Sequence, residues 1–364
     1  MATWLDPTTL LDVQFDEAQG EVRKDPRYGI LRQMERSTQA ARSSMGTIRG
    51  DIEQTLSQLE DNVGFQIPTL KEKPIATTSV ESFNIPVNLG ESDFMSVSKI
   101  TTVAGFWYLP AIHASNKISS EDYLRDRTNE VDEALADARE ANTIAALDAR
   151  RTQILPGADK VSFGAANFSF NGATDELEVN LAGQQDNFYM RTAKLLEQVG
   201  TFGMRGDMLG MSEELALAPA LSAWVKAGAG NSENQQNDMN TPISFMESTN
   251  IASAATQGTA YIMKAGALAY VDNSTYDYRN NTQTRDGWEW SRTANILPKL
   301  GRGVNLLYNS KGLDASQISP GSSHLVTTGA EMWSFVDKYY IIHTYNSDLT
   351  TRSNDIVRLN LSNT

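Results

Sequence analysis

Apolar residues along this chain change their spacing repeatedly, and each change marks an element. From Tyr28 they recur mostly three and four positions apart, at Ile30, Leu31 and Met34 and then at Met45, Ile48, Ile52, Leu56 and Leu59, on a polar background. That period predicts a helical leader within Asp25 to Asn62. Gly46 and Gly50 each cost a helix interior about 1 kcal/mol relative to Ala, so the leader should kink or break. Residues before it mix Pro7, Gly20 and acidic side chains and read as an irregular arm. After the breaker-rich stretch Gly64 to Pro74 the period falls to two: Ile85, Val87 and Leu89 alternate with Asn84, Pro86 and Asn88. Gly90 to Asp93 supply turn chemistry and Phe94 to Val103 a return strand, which predicts a long hairpin over Thr77 to Val103. Pro86 lacks a backbone donor and keeps its strand at an edge.

The next stretch, Ser119 to Gln153, contains neither Gly nor Pro. Ser119 or Ser120 can cap a helix there, Glu121 and Asp122 suit the positive end of its dipole, and Pro156-Gly157 stops it. Leu124, Val131, Leu135, Ala138, Ala145 or Ala146, and Ala149 form a narrow stripe, with Glu130, Asp137, Arg139, Glu140 and Arg150 assigned to other faces. At 1.5 Å per residue this is a strut of roughly 50 Å, suited to bracing a wide body. Beyond it, Asp159 to Val179 alternates around Asn171-Gly172, a hairpin signal. Helices are expected at Asp186 to Val199 and Glu213 to Ala227, a polar loop at Asn231 to Pro242, and strands at Ala260 to Val271, Gly287 to Arg292, Gly303 to Asn309, Lys338 to Tyr345 and Ile356 to Leu361.

Composition narrows what such a molecule can do. The 364 residues, 40% of them hydrophobic, can bury a real core. The absence of cysteine removes disulfides, thiolate–metal sites and cysteine nucleophiles. A formal charge of −14 opposes sequence-specific DNA binding, yet it suits a container that must not adhere to nucleic acid inside it. No basic apolar leader and no run of about 18 apolar residues is present, so neither export nor membrane spanning is expected and the protein should be soluble.

Candidate chemistry is sparse. His113, His324 and His343 lack partners at metal-ligand spacing, and His343, six residues after Asp337, reads as a strand histidine. The glycines at 200, 203, 206 and 210 are not followed by Gly-Lys-Ser/Thr and read as a flexible connection. Trp288 and Trp290 share one face of a strand, where packing is the simpler role than stacking on sugar. No acid/base pair or nucleophile elbow stands out, so neither a metal, a cofactor nor an enzymatic activity is expected.

In this order, the parts resemble the major capsid proteins of tailed bacteriophages, the Hong-Kong-97-type fold. "ESFNIPVNLGESDFMSVSKITT" looks like that family's extended loop and "EDYLRDRTNEVDEALADAREANTIAALDARR" like its spine helix. "TAYIMKAGALAYV", "GVNLLYN" and "YYIIHTYNSDLTTRSNDIVRLNL" are similar to the strands that finish its axial and peripheral domains. The resemblance implies an α+β chain divided into an N-terminal arm with helix (1–64), an extended β-hairpin loop (65–115), spine helix and peripheral domain (116–212), axial domain (213–335) and closing peripheral strands (336–364). It also implies hexamers and pentamers in an icosahedral shell around double-stranded DNA, with scaffolding, portal and decoration proteins as possible partners. The protein would be made in the host cytoplasm and end in the virion.

Removal of an N-terminal scaffolding segment is not expected, and Lys71, Lys73 and Lys99 have no identifiable cross-linking partner. Ile85, Val87, Leu89 and Phe94 are the residues expected to meet a neighbouring subunit. An encapsulin-type compartment enclosing cargo enzymes, a tail or baseplate protein, and an enzyme with an unrecognised carboxylate site stay open as alternatives. Cargo, tubes or rings, and a small oligomeric size would respectively mark them.

Overall fold

The computed structural model describes residues 28–42, 50–58, 65–70, 92–108, 120–151, 168–180, 208–213, 243–251, 258–273, 282–284, 287–309, 331–343 and 355–362. Within the leader two helices are described, α1 (Gly29–Arg42) and α2 (Gly50–Gln58); Gly46 lies outside the described residues. Strands β1 (Phe65–Leu70), β2 (Ser92–Val97) and β3 (Ile100–Tyr108) follow, and then the long helix α3 (Ser120–Arg150). The remainder is β-rich: β4 (Phe168–Asn171), β5 (Glu176–Asn180), β6 (Met208–Ser212), β7 (Ile243–Glu247), β8 (Gly258–Lys264) and β9 (Leu268–Asp272). It closes with β10 (Thr282–Thr284), β11 (Gly287–Leu297), β12 (Arg302–Asn309), β13 (Glu331–His343) and β14 (Ile356–Ser362).

These strands form a two-stranded ribbon, β1–β2, and two six-stranded sheets. One sheet runs β10-β11-β12-β13-β3, with β9 also paired to β13; the other runs β4-β5-β14-β8-β6-β7. The first sheet therefore joins β3, from within residues 65–115, to strands from beyond residue 280. In the second, β5 with β14 and β6 with β7 are parallel and the other pairs antiparallel.

Several sequence expectations are corrected. β2 pairs antiparallel with β1, Pro68 opposite Phe94, while the first strand expected for the hairpin, Ile85 to Leu89, lies outside the described residues. The breaker-rich stretch Gly64 to Pro74 supplies this strand, and a proline is tolerated because a two-stranded ribbon has only edges. Ser92 and Asp93, assigned to the turn, lie in β2, and the return strand breaks at Ser98-Lys99 so that β3 can enter a different sheet. Ala260 to Val271 is likewise two strands in two sheets, turned at Gly266 with φ +93°. The glycine-rich stretch read as a flexible connection ends in β6, a strand buried at every residue between β8 and β7. Its apolar residues do not alternate because both its faces are covered. At the Asn171-Gly172 turn the loop is longer than the two residues expected: Asn171 pairs with Glu176, and Asp175 takes the left-handed conformation at φ 53°. The helices expected at Asp186 to Val199 and Glu213 to Ala227 and the loop Asn231 to Pro242 fall outside the described residues, save Glu213 at the end of β6.

Helix α1 works as a plug between the sheets. Ile30, Leu31 and Met34 enter the main core with Leu135, Tyr261, Tyr270 and Tyr339. Its small polar residues bond to strand backbone: Gln33 Nε2 donates to Gly210 O of β6 (3.0 Å) and Ser37 Oγ to Leu268 O of β9 (2.5 Å). The Tyr270 N–H donates to Thr38 Oγ1 (3.0 Å) and the Gly266 N–H to Ser37 Oγ (3.0 Å). Backbone groups of β9 and its turn that β13 does not pair are thereby satisfied inside the protein. Gly29 is required at the entry, since a Cβ there would lie 1.8 Å from the carbonyl oxygen of Glu247.

Candidate functional site

Two features could serve an assembly: the ribbon and the helix that braces the sheets. Alternation along β2 sends Met95 and Val97 inward with Ile67 of β1, onto Leu56, Ala269, Val271, Tyr340 and Ile342. The opposite face carries Phe94, 57% exposed, and Val103 of β3 is 60% exposed. The base of the finger is thus anchored on its own chain by one face, while the other presents an aromatic ring to solvent. Of the expected contact residues, Phe94 is in β2; Ile85, Val87 and Leu89 lie outside the described residues, in the stretch that separates β1 from β2.

The long helix spans about 46 Å from its 31 residues, and its inward stripe is not the one expected. Leu124, Thr128, Val131, Leu135, Arg139, Thr143 and Leu147 are buried at a helical period, whereas Ala145 and Ala149 are exposed. Of the two alternatives Ala145 and Ala146, it is Ala146 that packs against the core. Arg139 and Glu140, assigned to faces other than the apolar stripe, are fully buried.

Arg139 is the pin between helix and sheet. Its Nη1 donates to both oxygens of Asp337 on β13 (3.1 and 3.3 Å) and its Nη2 to Asp272 Oδ1 on β9 (2.7 Å). Asp272 also pairs with Arg302. The guanidinium lies between the rings of Tyr270 (4.3 Å) and Tyr339 (4.1 Å), which meet edge to face. Burial works against the charge on Arg139, and Asp337 and Asp272 more than offset it, so the group stays ionised. For Asp272 burial pushes upward, yet the two arginines win and hold its carboxyl below the ordinary value. Asp337 goes the other way, raised by burial. It was considered in the sequence for its distance from His343; its partner is Arg139, and His343 ends β13 opposite Leu268, nearly buried.

Two more carboxylates on α3 grip backbone from elsewhere. Asp132 accepts the N–H groups of Lys299 (2.7 Å) and Leu300 (3.0 Å) at the β11–β12 turn, and burial raises it to about 6 against those bonds. Glu140 Oε2 accepts from Ser248 Oγ (3.0 Å) and Asn250 Nδ2 (2.6 Å) after β7. The first-turn N–H groups of Ile30 and Leu31 face the same carboxyl, without closing a hydrogen bond on its buried Oε1. At the far end Asp148 accepts from Tyr261 Oη (2.8 Å) and Arg358 Nη1 (3.0 Å), tying α3 to β8 and β14. One helix therefore joins both six-stranded sheets and α1 through buried polar contacts. The sequence signal for this was a Gly- and Pro-free run with charged residues at core spacing.

Among the described residues no group of three or more His, Asp or Glu side chains is placed to hold a metal ion, and no helix is long and apolar enough to cross a membrane.

No protein-family model and no curated protein matches the chain. Solved structures do resemble it; those named here come from phages, and two of them are described as capsids. A chain from Mycobacterium phage Che8 is 10% identical with a TM-score of 0.46, covering 86% of this chain and 89% of that one. The capsid of Ralstonia phage GP4 is also 10% identical at a TM-score of 0.46, with 84% of each chain covered. The capsid structure of the cyanophage P-SCSP1u is 11% identical at 0.43, covering 84% and 86%. With TM-scores below 0.5, what the chain does has to follow from its own residues.

Proposed function

We propose that this chain is a structural shell subunit of a phage capsid, assembling with copies of itself into hexamers and pentamers that enclose double-stranded DNA without reading its sequence. The observation that carries the reading is the two-faced ribbon. Ile67, Met95 and Val97 are spent on the chain's own core, while Phe94 stands on the opposite face, exposed; Ile85, Val87 and Leu89 lie in the sequence between the two strands. Covering such a face with a neighbouring subunit removes apolar area from water at about 25 cal/mol per Å². The pinned helix suits the same role, because a flat body loaded from its neighbours needs its two sheets held together. The domain division set out above, from N-terminal arm to closing strands, belongs to this proposal.

Negative-stain microscopy of the purified protein tests it, over a range of salt and divalent cation because the subunits carry like charge. Closed shells of uniform size are expected. Phe94→Asp should leave separate subunits that melt at the wild-type temperature. Persistence of the wild-type chain as a monomer or small oligomer under all these conditions, or normal shells from Phe94→Asp, would overturn the proposal.

A further inference from the structure

Asn171 and Gly172 form the one Asn-Gly step in the sequence, and the fold leaves that step open to chemistry. Asn171 ends β4 opposite Glu176, and Gly172, Ala173 and Thr174 are exposed in the loop that follows. Among the described residues no hydrogen bond engages the Gly172 N–H, and a Cβ built on Gly172 would meet nothing within 4 Å. The Gly172 nitrogen is thus uncommitted, and water reaches the peptide on either side of it.

The Asn171 carboxamide is held through both its polar atoms. Its Oδ1 accepts the Ala173 N–H (3.0 Å), which folds the group back along Gly172 and draws electron density away from Cγ. Its Nδ2 donates to Oε1 of Glu178 (2.9 Å), which shares a face of β5 with Glu176. Glu176, directly opposite Asn171, is engaged by Arg151 and Arg358. The first bond favours attack on Cγ by the adjoining main-chain nitrogen. The second opposes it, because ring closure turns the carboxamide away and breaks a hydrogen bond to a charged acceptor.

We propose that Asn171 is a self-modification site, at which the folded chain loses ammonia, and that Glu178 is its brake. The Gly172 nitrogen gives its proton to solvent base and attacks Cγ of Asn171, so that a new C–N bond closes a succinimide ring. The bond from Cγ to Nδ2 breaks, and Nδ2 takes a proton from solvent and departs as ammonia. Water then opens the ring: addition at Cγ gives aspartate, and addition at the main-chain carbonyl gives isoaspartate. Nucleophile and target belong to one residue pair, so the reaction needs no other protein, cofactor or oxidant. The aspartyl product sets a carboxylate against Glu178 where a donor stood. The isoaspartyl product adds a methylene to the main chain at the last rung between β4 and β5.

Peptide mass spectrometry of the folded, full-length chain, incubated at mildly alkaline pH, reads the site, with thermal melting to establish that each variant is folded. The wild type should accumulate aspartate and isoaspartate at Asn171, the second being a product that direct hydrolysis of the side chain cannot give. Glu178→Ala should speed the conversion about tenfold, the effect of losing one hydrogen bond to a charged group. Glu178→Gln, which keeps an acceptor but not its charge, should fall between it and the wild type. Gly172→Ala fits the open space and a backbone outside the left-handed region, and its methyl group beside the attacking nitrogen should nearly stop the reaction. An Asn171 that stays intact in the folded chain while the urea-unfolded chain converts it would overturn the site. Conversion in Gly172→Ala at the wild-type rate would do the same, and wild-type rates in both Glu178 variants would overturn the brake.

Discussion

Replacing Arg139 with Met removes the pin while keeping an unbranched side chain of similar reach. Arg139 is 1% exposed at its side chain and Asp337 3%, so water cannot replace the lost partner. Asp272, 39% exposed, keeps Arg302. The damage therefore falls mainly on Asp337, which loses both hydrogen bonds from Nη1, and on the two tyrosine rings that enclosed the cation.

Breaking a buried pair by removing one partner costs about 3–5 kcal/mol, most of it from the charge left behind. Burial already raises the Asp337 carboxyl, and without Arg139 it rises further, so the stranded charge can be relieved by a proton. Stability tied to a raised carboxyl is lost as pH increases. The deficit of Arg139→Met should accordingly be larger at high pH and smaller at low pH. Adding Asp337→Asn removes the stranded charge altogether and should recover about 1–2 kcal/mol at pH 8.

Urea unfolding of unassembled subunits, followed by tryptophan fluorescence at more than one protein concentration, measures all of these. An Arg139→Met deficit under about 1 kcal/mol, or a double variant as unstable as the sum of its singles, would refute the assignment of Arg139 as the pin.

Gly29→Ala drives a methyl group to within 1.8 Å of the Glu247 carbonyl oxygen, so α1 or β7 must shift; a loss of about 1–3 kcal/mol is expected by thermal melting, and an unchanged melting temperature would contradict the close approach. Asp132, raised from an ordinary 3.8 to about 6, takes up a proton on folding, so its contribution favours the fold in acid and is lost through that interval. Urea unfolding of the wild type should therefore lose up to about 3 kcal/mol between pH 4 and pH 7 that Asp132→Asn does not lose, and equal slopes in the two proteins would contradict it.

Local spacing carried much of the architecture. The helices of the leader, the length of α3 and the last strands follow from periods of 3.6 and 2, because those periods decide which side chains share a face. Ser120 to Arg150 could be read as one helix from the absence of Gly and Pro alone. Strand partners could not be read this way. That β2 pairs with Phe65–Leu70 depends on which distant segment offers matching backbone groups, and a run containing a proline gives no sign of it in the sequence. Strand β6 escaped notice because burial on both faces erases alternation.

The buried charges mark the same boundary. Arg139 and Glu140 look like surface residues in a polar helix, since nothing nearby in the chain could neutralise them. Asp272 and Asp337 lie 133 and 198 residues from Arg139, and Ser248 108 from Glu140. Sequence by itself determined the long helix, the helical leader and the last strands. Only tertiary structure decided which charges go inside, because the energy of a buried ion is set by partners that folding brings to it.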